Sequence, residues 1–273
     1  VEIPLVNGVL DESVIGYWKL DGEGDEKAAD ATGKNTGSVS GAVASIDGAF
    51  GDGDGAGAFS DSWVSTGLNS TWSIGADSSY TIMAWARLES GLNTTDSHPV
   101  FGTNKAGGSE IHFDLYTDGS CSISLRDDSS TESELVVEGL PTQDGQWHHY
   151  AYVRSQDSNT LILYVDGDRV GSNPDATGAA TLGGMDPHIG SSNGGGARFY
   201  GDLDEVVVFD RELSFREIGI YVDSTAPYGA VMVPGAQHDF DDVRLTEGDH
   251  SIPHEIIGPR AHSDSPCPEG ADP

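Results

Sequence analysis

Between Val14 and Ile218, apolar and polar residues alternate in short runs separated by Gly, Asn and Asp, the pattern of many strands joined by turns. In YTIMAWARL (Tyr80 to Leu88), Ile82, Ala84 and Ala86 alternate with Met83, Trp85 and Arg87, which predicts a strand with two different faces. HPVFGTN, EIHFDLYT, CSISLRD, ELVVEGL, QWHHYAYVRS and LILYV continue the theme. Asp166-Gly167 after LILYV is a two-residue hairpin signal, because both residue types tolerate positive φ. In QWHHYAYVRS, Trp147, Ala151 and Val153 share one face, expected to be the core, while His148, Tyr150 and Tyr152 share the other. Ser214 and Glu217 have the spacing of a capping box, so a short helix is expected over FREIG. No segment repeats at a fixed period, which argues against a propeller or solenoid. The expected fold class is all-β with little helix.

The flanks differ from this pattern. Residues 1–13 read as an N-terminal arm, residues 14–222 as one strand-rich domain, and residues 223–273 as a Pro- and His-rich C-terminal arm. A chain of 273 residues is long enough for one large β domain plus such an appendage. The last segment has little periodicity beyond AVMVP and HEIIG, so it cannot bury much apolar surface alone. It reads either as a flexible tail or as an extended, mostly irregular arm whose Val231-Met232-Val233 and Ile256-Ile257 enter grooves or pair with a sheet edge.

Charge narrows the setting. The 45 acidic residues against 13 basic ones give a formal net charge of −32. Such self-repulsion opposes compaction at low salt and is screened at molar salt, which points to a halophilic source; an acidic secreted protein of an ordinary marine or soil microbe is the alternative. No cationic face is visible, so nucleic acid is not an expected partner. No stretch approaches the roughly 20 apolar residues that cross a bilayer, so membrane insertion is not expected and the chain reads as soluble. It starts at Val1 without a signal-like run, as a processed product does. Cys121 and Cys267 either form one disulfide pinning the tail to the domain or remain two free thiols. Sequons at Asn69 and Asn93 lie in loop-like segments, where glycosylation is permitted.

YWKLDG with DATGKNTG, then YTIMAWARL, GQWHHYAYVR, LYVDGDRV, HIGSS and GDLDEVVVFDRELSFREI occur in an order and spacing that resembles the laminin-G-like jelly rolls of the concanavalin A-like lectin/glucanase superfamily. The resemblance covers about residues 14–222. It implies a two-sheet antiparallel jelly-roll sandwich with Greek-key connections and one concave sheet. In similar jelly rolls a structural calcium bridges the opening and closing strands. The resemblance therefore implies Ca2+ held by Asp21, Asp204 and a carbonyl near Asn35, with Asp30 and Asp202 as second choices; calcium takes about six to eight oxygens. The plain alternative is that these acids are solvated members of an acid-crowded chain. His250 and His254 are four apart, but Pro253 between them opposes a helical zinc pair.

Related folds include glucanases that carry Glu-x-Asp-x-Glu on one strand face. EIHFD places Glu110, His112 and Asp114 on one side of a strand, but its central acid is a histidine and its third is one methylene shorter. In laminin-G-like chains this strand is not catalytic, and His148 and His149 have no accompanying nucleophile motif. Glycoside hydrolysis is thus a minor alternative, and no catalytic residue is expected. The reading is a non-catalytic extracellular recognition or adhesion module that binds glycans or glycoproteins at a cell or virion surface. Its candidate ligand-binding residues are Trp63, Trp72, Glu110, His112, Asp114, Tyr116 and Arg198, the aromatic ones equally suited to core or turn positions. The alternative function is a structural subunit of a surface assembly (a virion spike or decoration protein, a filament, an envelope layer), joined to copies of itself or other subunits through residues 223–273 and the N-terminal arm.

Overall fold

The computed structural model describes residues 5–6, 9–10, 12–51, 54–67, 78–104, 110–127, 129–177, 186–194 and 196–225. Asn69, Trp72, Cys267, the pair His250 and His254, and nearly all of the expected C-terminal arm lie outside the described residues. The strands, in chain order, are β1 Leu5–Val6, β2 Val9–Leu10, β3 Val14–Trp18, β4 Ser38–Ser40, β5 Ala44–Asp47, β6 Gly55–Phe59, β7 Trp63–Ser65, β8 Tyr80–Leu88 and β9 His98–Asn104. They continue with β10 Glu110–Leu115, β11 Cys121–Arg126, β12 Glu132–Val137, β13 His148–Ser155, β14 Thr160–Val165, β15 Asp168–Pro174, β16 Asp186–Ile189 and β17 Gly201–Phe209; helix α1, Phe215–Thr225, follows.

Two antiparallel sheets form a sandwich. One runs β12-β11-β10-β9-β16-β7-β4, and the other β15-β14-β13-β8-β17-β6-β5 with β3 also paired to β17. The pairing of β3 with β17 sets Trp18 opposite Val206 and Tyr17 opposite Val207, so the opening and closing strands are neighbours. Between the sheets, Ile82, Ala84, Tyr150, Tyr152, Leu161 and Leu163 meet Val100, Phe101, Ile111, Phe113, Ile123 and Leu125. Each such large side chain contributes about 1.5–3 kcal/mol when fully buried, so this layer dominates the stability. Cys121 is fully buried in the same layer.

The face assignment of β13 is the reverse of the expected one. Tyr150 and Tyr152 point between the sheets, whereas Ala151 and Val153 join Met83, Val207, Phe209, Leu213, Ile218 and Tyr221 in a second cluster beneath α1. Trp147 is only half-buried, packed beside Ala49, Trp85 and Val222. Size and hydrophobicity misled because both faces of this sheet are covered, and the inner tyrosines satisfy their polar tips internally: the Tyr80 and Tyr152 hydroxyls bond each other at 2.6 Å.

Local signals behave as expected. Asp166 and Gly167 adopt φ of 50° and 88° and turn β14 into β15. At the start of α1, the Glu217 carboxylate accepts the Ser214 backbone N–H at 2.8 Å, and Ser214 Oγ accepts the Glu217 N–H at 3.3 Å, a reciprocal cap.

Candidate functional site

The closing strand carries an irregularity that gathers carboxylates. Asp204 faces Trp85 and Val207 faces Met83, so Glu205 and Val206 together oppose one residue of β8. In a regular strand, adjacent side chains point to opposite faces; the bulge, with Glu205 at φ 50°, lets Asp204 and Glu205 converge. The chain leaves β3 through Leu20 at φ 61°, which turns Asp21 toward them. Asp21 packs so closely on Gly55 that a Cβ there would lie 3.0 Å from its Cα. One carboxylate oxygen each of Asp21, Asp204 and Glu205 lies within 4.8 Å of the others.

Charge in this cluster is poorly compensated by protein. Asp204 is fully buried; one oxygen accepts the Ala49 N–H at 2.8 Å, and the other has no hydrogen-bond partner. Burial above all, then the neighbouring acids Glu205, Asp54 and Asp21, holds the Asp204 carboxyl well above the usual range. Burial likewise pushes Glu205 up to about 8 despite the hydrogen bond it accepts from the Tyr17 hydroxyl. Asp21 is raised by burial and by Asp54. The buried Lys27 ammonium donates to the carbonyls of Leu20, at 2.6 Å, and Ala56, at 3.0 Å. An oxygen set with a buried, unpartnered carboxylate atom fits a hard divalent cation such as Ca2+.

The side chains of the other residues expected near the cation have protein partners, and the bonds Asn35 makes through its side-chain amide and its backbone N–H leave its carbonyl out. Asn35 donates its amide to the Ile15 carbonyl at 2.6 Å and its backbone N–H to Asp30 at 2.8 Å. Asp30 also accepts the N–H groups of Tyr17, Thr32 and Lys34, so it folds the first loop. Asp202 forms an ion pair with Arg87 at 2.7 Å, and the Arg87 guanidinium lies over Trp147. The sequence did not single out Glu205 or Asp54; a second acid next to Asp204 was the available signal.

Glu110, His112 and Asp114 share the outer face of β10, as the alternation required, with Ile111, Phe113 and Leu115 turned inward. Glu110 pairs with Arg126 and lies 3.6 Å from His112 Nε2. Asp114 is buried with one oxygen unpartnered, and desolvation, then the Glu134 charge, pushes it up to about 7. Glu134 itself accepts the Ser122 hydroxyl at 2.9 Å. This triplet is therefore an ion pair plus a desolvated acid rather than three converging acids.

The rim is more open. A cleft of about 760 Å³ is bounded by Asp61, Thr94, Asp96, His98, Arg198 and Tyr200, among others. Arg198 lies 4.2 Å over the Trp63 ring and donates through Nη1 to Ser191 Oγ at 3.3 Å and the Gly196 carbonyl at 3.2 Å. A second cleft of about 360 Å³ contains Tyr116, Asp118 and Gln143, and shares Leu92 and Thr94 with the first. The structure thus brings Arg198 and Tyr116 to two adjoining clefts, while Trp63 lines neither and lies behind Arg198. Asp61, the stretch from Asp96 to His98, and Tyr200 come from three separate segments and carried no motif by which the sequence could reveal them. Asn93, an exposed sequon residue, borders the second cleft.

Two antiparallel sheets with neighbouring opening and closing strands define a jelly-roll type of β-sandwich. A family model described as the concanavalin A-like lectin/glucanases superfamily, of laminin G type, matches residues 57–219, and the chain belongs to that family. No curated protein matches it. Among solved structures it is similar to the binding domain of Paraclostridial mosquitocidal protein 1, with TM-score 0.59 and 16% identity over 78% of this chain and 52% of that one. Domain 4 of AbnA, an extracellular GH43 arabinanase of Geobacillus stearothermophilus solved with arabinotriose, gives 0.58 and 19% over 77% and 98%. The binding domain of botulinum neurotoxin serotype G gives 0.58 and 12% over 77% and 51%. The chain spans about half the length of the two toxin domains, and at these identities the likeness is one of fold.

Proposed function

We propose that the protein is a non-catalytic recognition module that binds glycans or glycoproteins at an extracellular cell or virion surface. The open rim cleft carries this reading: it combines an aromatic ring (Tyr200), a pre-stacked guanidinium (Arg198) and carboxylates (Asp61, Asp96), the groups that stack on sugar rings and bond their hydroxyls. The mosquitocidal and botulinum domains are binding domains and the AbnA domain was solved with an arabinose trisaccharide, which supports a binding use of this fold. The pairing of Glu110 with Arg126 supports a non-catalytic outer face. The net charge of −32 supports a halophilic source.

Ca2+ is proposed as a structural ion held by Asp21, Asp204 and Glu205. When bound it supplies positive charge to the buried Asp204 and Glu205 and to the exposed Asp21 beside them. The residues themselves join the end of β3 to the bulge of β17, while Ala49 fixes the orientation of Asp204.

The test is a glycan array probed with the full chain at molar salt in the presence of Ca2+. Binding to a defined set of glycans is expected. Silence across the array, with the protein folded by circular dichroism, would overturn the recognition reading.

A further inference from the structure

We infer that the rim cleft selects uncharged sugars: it accepts a neutral glycan residue with neighbouring hydroxyls and discriminates against sialylated, uronic or sulfated ones. This rests on the glycan-binding reading above and specifies the charge class of the ligand.

Among the described residues, the charged side chains that line the cleft are Asp61, Asp96 and Arg198, two anions against one cation. Recognition of a carboxylate or sulfate by arginine depends on a free fork of parallel donors. Arg198 offers no such fork. Its Nη1 is bonded to Ser191 and Gly196, its Nε is buried without a partner, and its plane is stacked on Trp63. The guanidinium serves as part of the wall.

The remaining groups suit hydroxyls. His98 is 1% exposed and forms part of the wall, edge-on to Tyr200 with centroids 6.0 Å apart. Neither of its ring nitrogens makes a well-formed hydrogen bond to protein, although the Arg198 backbone lies close. Burial favours the neutral ring, so this part of the wall adds no positive charge that could attract an acidic sugar. Asp96 accepts the Thr94 hydroxyl at 2.6 Å, and Asp61 takes a long contact of 3.4 Å from the Tyr200 hydroxyl. Carboxylates accept only, so they bond the O–H groups of a sugar but cannot bond another carboxylate. The half-buried Tyr200 ring adds an apolar surface for the C–H face of a pyranose or furanose.

At molar salt the long-range repulsion from the acidic surface is screened, so the discrimination there must come from these contacts. Lowering the salt adds repulsion of anionic ligands and sharpens the preference.

The experiment is calorimetric titration of the full chain with neutral galactosyl and arabinosyl oligosaccharides and with the same cores capped by sialic acid, glucuronic acid or sulfate. Neutral cores are expected to bind at least tenfold more tightly than their acidic forms. The double variant Asp61→Asn/Asp96→Asn is expected to lose roughly tenfold or more of neutral binding and to narrow the gap, as loss of charge-assisted hydrogen bonds does. Asn tolerates the left-handed backbone at position 61 (φ 56°), and Tyr200→Leu, also expected to weaken neutral binding, gives a second reading with a different side chain. Acidic glycans binding as well as neutral ones, or variants that leave the preference unchanged, would overturn the selectivity while leaving glycan binding intact. Failure of every glycan to bind would remove the recognition reading itself.

Discussion

Asp21, at the exit of the first long strand, and Asp204, in the last, bring carboxylate oxygens within 4.8 Å of each other. The contact follows from the antiparallel pairing of β3 with β17 and from the turn at Leu20, and it sets the exposed Asp21 against the buried Asp204, where desolvation makes charge costly. The fold is consequently sensitive to whatever neutralises this pair.

Addition of Ca2+ to chelator-treated protein is expected to raise the thermal midpoint. At a free concentration one hundred times the dissociation constant, the stabilisation is about 2.7 kcal/mol. Asp204→Asn removes a buried ligand atom and is expected to abolish most of that shift. An undiminished shift in the variant, measured by scanning calorimetry with and without chelator, would place the ion elsewhere.

Asp114 makes stability depend on pH. Its carboxyl is held at about 7 in the folded protein, against about 3.9 for an exposed aspartate, so the native state binds the extra proton. Its unfavourable contribution is therefore absent below about pH 4, grows as pH rises toward 7, and is constant above, reaching at most about 4 kcal/mol. In saturating Ca2+, Asp114→Asn is expected to flatten this fall and to be more stable than the parent at pH 8. Urea unfolding at a series of pH values checks it, and parallel curves for the two proteins would refute the assignment.

Trp63 supports Arg198 from below at 4.2 Å. Trp63→Ala is expected to cost about 1–2 kcal/mol of stability from the lost cation–π contact and packing, and to weaken glycan binding because the arginine wall loses its position. Chemical denaturation and titration of the same variant read the two effects separately; full binding in the variant would show that the stack plays no part in recognition.

With a formal charge of −32, the protein is expected to gain thermal stability as KCl is raised from millimolar to molar. The gain should be continuous and should persist with Ca2+ saturating. A midpoint independent of salt would count against a halophilic setting.

The alternation of apolar and polar residues by itself determined that the chain folds as many short strands, and the sandwich was identified by the resemblance of the ordered motifs from YWKLDG to GDLDEVVVFDRELSFREI to laminin-G-like jelly rolls. The Asp166-Gly167 turn and the Ser214/Glu217 cap were equally readable, since their causes lie within a few residues: φ preference in one case, reciprocal bonding over one helical turn in the other. The resemblance to laminin-G-like jelly rolls named Asp21 and Asp204 as a pair, yet Glu205 joined them only through a bulge, which no two-residue period announces. Which face of β13 looks inward was also decided by tertiary structure, because α1 covers the other face and a period of two distinguishes faces without ranking two buried ones. The rim cleft lay furthest from the sequence: Asp61, the segment from Asp96 to His98, and Tyr200 meet because three separate segments converge there, and long-range convergence leaves no trace in the order of residues.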